Sequence, residues 1–187
     1  MKQALSKLFH TRWFAVVLCV AGVVFSTLLN TRVGLGRKSD EVITRFYKGA
    51  EGESCIAAQL GQLSEAATGL AAIAGHYSLD SSAATLAAER LEQGLQTADG
   101  RVGALHADYK TLLAAADELS ARLEKAQMSK RDAENLALYT ASAADAQSAI
   151  EADDYNVRAA SFLTYCDEFP TGGLAAFAGV QLPELFR

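Results

Sequence analysis

Residues 55–77 read CIAAQLGQLSEAATGLAAIAGHY. The positions Ile56, Leu60, Leu63, Ala67, Leu70, Ala74 and Tyr77 alternate by steps of four and three. Such a seven-residue repeat lays one apolar seam along a helix. A strand would instead need alternation by two. The reading therefore starts from a long amphipathic helix, and the rest of the chain extends it. After a turn at Ser78-Leu79-Asp80-Ser81, where Asp80, Ser81 or Ser82 can cap the next helix, a second seam begins. It runs in the same register through Ala84, Ala88, Leu91, Leu95, Ala98, Val102, Leu105, Tyr109, Leu112, Ala116, Leu119, Leu123 and Ala126. The unbroken register favours one long helix weakened at Gly100 and Gly103, and two helices jointed at Asp99-Gly100 are the alternative. A last helix is expected from Ser129, where Ser129-Lys130-Arg131-Asp132 resembles a capping box with Asp in place of Glu, to about Glu168.

Composition agrees. Apolar residues make up 50% of the 187, many of them Ala, and both prolines (Pro170 and Pro183) lie late in the chain. Ala favours helices and lets them approach closely. Before the seams, residues 13–31, WFAVVLCVAGVVFSTLLNT, form a charge-free run between Arg12 and Arg32. Nineteen residues are just enough to cross a hydrocarbon core about 30 Å thick. Lys2, Lys7 and Arg12 precede the run, and Trp13 stands at its edge, where an amphipathic indole belongs. A cleaved signal peptide is the rival, but no A-x-A site follows the run. Basic residues flank both ends, so charge does not fix which side of the membrane the rest occupies. Residues 33–48 can prolong this helix with Val42, Ile43 and Phe46 on its apolar side, until Gly49 and Gly52 interrupt it.

Charge is uneven. Residues 1–48 hold eight Lys/Arg and two Asp/Glu, a net of +6, and residues 49–187 hold nine and twenty, a net of −11. The acidic part argues against nucleic acid as a partner, while the basic part can meet lipid headgroups. Gly34-Leu35-Gly36-Arg37-Lys38-Ser39 fails the phosphate-loop spacing and no strand precedes it. His76 and His106 have no nucleophile or carboxylate at relay spacing and are read as solvent-facing. The pairs Asp117-Glu118, Asp153-Asp154 and Asp167-Glu168 are adjacent, so on a helix they diverge by about 100° and suit a solvated face. Glu151, Asp153 and Asp154 are the weak candidates for a divalent cation. Cys19, Cys55 and Cys166 form no disulfide framework; free Cys55 and Cys166 are expected, and a bridge between them is the alternative. No catalytic residue, cofactor or metal site is expected.

The stretch 154–170, DYNVRAASFLTYCDEFP, concentrates side chains that the rest of the chain lacks. Tyr155, Ala159, Phe162, Cys166 and Phe169 again step by four and three, so they are spaced to bury, with Asn156 and Tyr165 flanking as hydrogen-bonding groups. This stretch resembles the C-terminal hallmark of the LemA family of bacterial membrane-anchored helical proteins, Y-N-x-x-V-x-x-Y-N-x-x-I-x-x-F-P. Tyr155, Asn156, Phe169 and Pro170 stand in identical places and Phe162 stands for the second Tyr. The following apolar tail keeps the family's length, with Gly179 and Phe186 in place. Leu163 replaces the second Asn, and residues 53–77 keep only the helical seam and Tyr77 of the family's earlier signature.

Together these readings predict an all-α chain. It comprises a basic tail (1–12), a transmembrane helix (13–31), an elongated antiparallel bundle of three to four long helices (32–170) and a short apolar tail packed on it (171–187). The resemblance implies a non-enzymatic, single-pass protein of a bacterial cell membrane with a scaffolding or protein-interaction role. Its partners would be the lipid bilayer, other envelope proteins and further copies of itself. The alternative is a membrane-tethered sensor that binds a small ligand between its helices.

Overall fold

The computed structural model describes residues 12–49, 54–97, 102–168, 173, 175–176 and 179–187. Six helices are described: α1 (Arg12–Lys48), α2 (Ile56–His76), α3 (Ser82–Thr97), α4 (Val102–Leu123), α5 (Lys130–Ala152) and α6 (Tyr155–Asp167). No strand occurs among the described residues. The basic tail before Arg12 lies outside them. The chain forms two compact units, Met1–Asp40 with Phe162–Leu182, and Glu41–Ser161 with Pro183–Arg187.

The second unit is the helical bundle. α2 touches α3, α4 and α5, and packs most extensively on α5. Its predicted seam supplies the core, with Leu60, Leu63 and Ala74 fully buried and Ile56, Ala67 and Leu70 nearly so. Along α2 and α5 the contacts run in opposite directions: Gln62 hydrogen-bonds Ser142, Gly69 lies under the ring of Tyr139, and Tyr77 hydrogen-bonds Asp132. The two helices are antiparallel. Gly69 is what lets them approach, since a Cβ there would come within 2.4 Å of the Tyr139 ring.

Two expectations are corrected. The seam from Ala84 to Ala126 belongs to two helices packed on each other, α3 and α4. Most of its described residues are buried as the register requires, Leu91, Val102, Leu112 and Leu123 completely, while Leu95 and Ala126 are half-buried. α3 ends at Thr97 and α4 begins at Val102, with residues 98–101 outside the described residues, and Leu105 packs so close to Gly94 that a Cβ would meet it at 2.7 Å. The helix expected from Ser129 to Glu168 is also two. It breaks at Asp153, whose backbone is extended (φ −68°, ψ 138°) and whose carboxylate accepts from the Tyr155 amide at 2.7 Å. An Asp side chain bonding two residues ahead offers the backbone an alternative to helix and opens α6.

Capping follows the residues. Ser129 Oγ accepts from the Asp132 amide at 3.1 Å, the first half of a capping box; the second half is replaced, since the Ser129 amide donates to Tyr77 Oη and the Asp132 carboxylate accepts from Ser129 Oγ at 2.9 Å. Asp80 accepts from the Ser82 amide at 3.0 Å ahead of α3. α1 stops at Gly49, in the left-handed region at φ 68°, with its amide on the Arg45 carbonyl.

In the first unit, α1 presents Val16, Val17, Leu18, Val20, Val23, Val24, Phe25 and Leu29 on its outside. The helix is long and apolar enough to cross a membrane. Nearer Asp40, Leu35 and Ser39 are buried one turn apart, and Ser39 Oγ donates to the Gln181 carbonyl. Phe162, Cys166 and Ala175 are buried in the same unit. Gly179, at φ 63°, closes a Schellman turn: its amide bonds the Ala176 carbonyl and the Val180 amide bonds Ala175, both at 3.3 Å.

Candidate functional site

The most elaborated polar and aromatic cluster is built where residues 183–187 meet the bundle. Asp153 starts α6 so that Tyr155 and Asn156 stand in its first turn. The Asn156 side chain clasps the backbone of Phe186 from both sides. Its Nδ2 donates to the Phe186 carbonyl and its Oδ1 accepts from the Phe186 amide, both at 2.8 Å. One amide side chain thereby supplies the donor and the acceptor that a neighbouring strand would supply. Tyr155 Oη donates to the Glu184 carbonyl at 2.7 Å. Glu184 Oε2 in turn accepts from the Gly103 amide at 3.0 Å, one of the unpaired donors opening α4.

The Phe186 ring enters a nest of aromatic side chains. Phe46 lies 5.5 Å from it, Tyr109 5.7 Å and His106 4.9 Å in an edge-on contact, while Phe46 also meets Tyr155 at 5.2 Å. These separations suit offset and edge-on ring pairs. Phe46 and Tyr155 are fully buried. Burial pushes the Tyr155 phenol up to about 12, with Tyr47 and Glu184 nearby acting in the same direction, so its proton stays on the bond to Glu184. His106 is pulled below its ordinary value by burial and then by Lys110, against the opposing hydrogen bond that it donates to the backbone of Arg187. It is a neutral, half-buried packing ring, which corrects the solvent-facing reading.

Beside the nest opens a cleft of about 370 Å³ walled by Tyr109 and Lys110 on α4, Gln147 and Glu151 on α5, and Asn156 and Phe186. Gln147 Nε2 donates to Glu151 at 2.9 Å. A second polar cluster closes the far end of the α2–α5 pair. There Tyr77 Oη donates to Asp132 at 2.6 Å and accepts from the Ser129 amide at 2.9 Å. His76 Nδ1 approaches the other Asp132 oxygen at 3.7 Å. Tyr77 and Ser129 hold the Asp132 carboxyl below its usual range. This is no nucleophilic relay: the carboxylate stands between Ser129 and His76, so the imidazole does not receive the hydroxyl proton.

The cation candidates are engaged elsewhere. Asp154 pairs with Arg45 at 3.2 Å and Arg158 at 2.7 Å, and Asp153 holds the Tyr155 amide. Among the described residues no group of three or more His, Cys, Asp or Glu is arranged to hold a metal ion. Cys19, Cys55 and Cys166 are free thiols; Cys55 donates to the Tyr47 carbonyl at 3.2 Å, and burial raises the Cys166 thiol.

Of the seven family-like residues, Tyr155, Asn156 and Phe186 come together at the latch. Phe162 and Gly179 belong to the other unit, and Phe169 and Pro170 lie outside the described residues. Sequence reasoning missed Glu184 and His106 as latch members and placed Phe46 and Tyr109 only as seam residues. No local pattern joins Asn156 to a position 30 residues on. No protein-family model, curated protein or solved structure matches this chain.

Proposed function

We propose that this protein is a non-enzymatic helical bundle tethered to a bacterial cell membrane by a single span, with a scaffolding or protein-interaction role of the LemA kind. The observation that carries the reading is α1. Eight large apolar side chains between Val16 and Leu29 are exposed on a helix whose charge-free run matches a bilayer core. Surface of that kind needs lipid or protein around it. The bundle supports the second half of the reading, since its core is filled by side chains and its polar clusters serve to cap and clasp. The Tyr-Asn pair shared with the family grips the backbone of the following tail, a structural task consistent with a scaffold. Its partners are then the bilayer, other envelope proteins and further copies of the chain.

The test is extraction of membranes carrying the full-length chain, followed by cross-linking and co-purification in mild detergent. Retention in the pellet after alkaline carbonate, and cross-linked partners or oligomers, are expected. Release by carbonate refutes the tether, and a strict monomer that captures nothing refutes the scaffold.

The cleft beside Phe186 favours a second reading, a tethered bundle that senses a small ligand. That reading predicts a rise in melting temperature with some member of a metabolite pool. A flat response across the pool removes it.

A further inference from the structure

We infer that the cleft beside Phe186 binds a small α-amino acid with an apolar side chain, taken as the zwitterion, an inference that rests on the ligand-binding reading of this cleft and gives it a ligand class. Tyr109 is the residue that points to it. Its side chain is 6% exposed, its ring packs against those of His106 and Phe186, and its phenol oxygen has no hydrogen-bond partner among the described residues. Tyr155 and Tyr77 commit theirs to the Glu184 carbonyl and the Asp132 carboxylate. Among the described residues no side-chain oxygen or nitrogen is shut off from solvent without a partner. The Tyr109 hydroxyl therefore borders open space, and the space that Tyr109 lines is the cleft. A buried ring that brings an unused donor to the wall of a cleft offers it to a ligand's acceptor.

The two helical walls carry complementary chemistry. On α4, the Tyr109 hydroxyl and the Lys110 ammonium are consecutive donors. On α5, Gln147 and Glu151 supply acceptors: Gln147 Nε2 already donates to one Glu151 oxygen at 2.9 Å, which leaves Gln147 Oε1 and the second Glu151 oxygen. Lys110 and Glu151 border one cleft, yet neither forms an ion pair with the other or with any other described residue. That arrangement suits a ligand carrying both charges, a carboxylate for the α4 wall and an ammonium for the α5 wall. Burial, and then the Glu151 carboxylate, raises the Tyr109 phenol, so it keeps its proton for donation. Asp153 and Asn156 are held by the backbones of Tyr155 and Phe186. Leu113, Ile150 and Phe186 supply the apolar part of the wall. From His106 to Leu113, α4 rises about 10 Å. The cleft's volume of about 370 Å³ is at the small end for ligand sites. Both suit one amino acid with its side chain laid along the helix.

The experiment titrates L-phenylalanine and L-leucine into the full-length chain in detergent micelles, by calorimetry. Phenethylamine, which lacks the carboxylate, and 3-phenylpropionate, which lacks the ammonium, are titrated beside them. Saturable binding of the amino acids is expected, with each truncated probe at least about tenfold weaker, the scale of a lost hydrogen bond to a charged group. Tyr109→Phe deletes the hydroxyl and keeps the ring. Because that hydroxyl holds no bond in the fold, the melting temperature without ligand should not move, while amino-acid affinity falls about tenfold. Undiminished affinity in Tyr109→Phe, equal affinity for either truncated probe, or a lower melting temperature of the unliganded variant overturns the proposal. Melts across the metabolite pool run in parallel and separate the two readings. If neither amino acid binds while another member of the pool stabilises the chain, the ligand-binding reading holds and the zwitterion alone fails. If nothing in the pool stabilises it and neither amino acid binds, both fall.

Discussion

Replacing Asn156 by Ala removes two hydrogen bonds and leaves the rings of the latch in place. Each bond is 2.8 Å long, a good length for N–H···O. A neutral hydrogen bond contributes about 1 kcal/mol net, so the pair is worth about 2 kcal/mol. Water can reach part of the freed Phe186 backbone, since Asn156 is only half-buried, so the loss should not exceed that figure. Exchange of the Phe186 amide reads the change directly, because it is bonded to Asn156 Oδ1 when the latch is closed. A loss of about 2 kcal/mol speeds exchange about thirty-fold if opening is local. The bond from Tyr155 to Glu184 and the aromatic nest keep the tail docked for most of the time. Asn156→Asp keeps an acceptor and loses the donor, so it should weaken the latch near neutrality and partly restore it when the acid protonates. In a chain shortened to residue 182, Asn156→Ala should cost almost nothing, which closes a double-mutant cycle. Unchanged Phe186 exchange in Asn156→Ala, or an equal cost with and without the tail, would refute the clasp.

Four further outcomes follow from the same geometry. Ser78 sits in the left-handed region at φ 55° to end α2, so Ser78→Gly should raise stability in urea unfolding by about 1 kcal/mol. Tyr155 has a folded pKa of about 12, above its ordinary value near 10, and the unfolded chain therefore ionises first. Stability should fall as pH rises from about 10 to 12, and Tyr155→Phe should flatten that part of the profile; an unchanged profile rejects the assignment. Asp132 is held below its ordinary value, so its contribution is complete above the usual carboxylate range and is lost as pH falls through the folded value. Thermal melts should show an acid limb that Asp132→Asn removes, and Ser129→Ala should cost about 1 kcal/mol at neutral pH through the lost cap.

The helical class and the core were legible because burial at Ile56, Leu60, Leu63 and the positions that continue them repeats with the helix itself. The division into α3 and α4 was hidden by the same rule. Ala98 and Val102 stay in register across it, and a seam that continues on a partner helix looks like a seam that continues on its own. The break at Asp153 had a local signal, an Asp two residues before the next helix start, but the apolar spacing on either side outweighed it. The caps at Asp80 and Ser129 were readable because their partners are two or three residues away. The latch was readable only in half. Tyr155 and Asn156 stood out by type, whereas Glu184, His106 and Tyr109 join them through tertiary contact, which no spacing announces.

The seams are built largely from the smallest side chain that a helix favours. Ala66, Ala67, Ala74, Ala84, Ala87, Ala88, Ala116, Ala146 and Ala159 are all buried. An alanine codon reaches Val, Thr, Ser, Pro, Asp, Glu or Gly by a single base change, and every one except Gly adds atoms. At close helix contacts those atoms have nowhere to go, and overpacking typically costs 1–3 kcal/mol. A leucine core under random mutation mostly acquires holes; this one would mostly acquire wedges. Its tolerance to genetic drift is therefore lopsided, and compensating changes should appear as shrinkage of the residue across the seam.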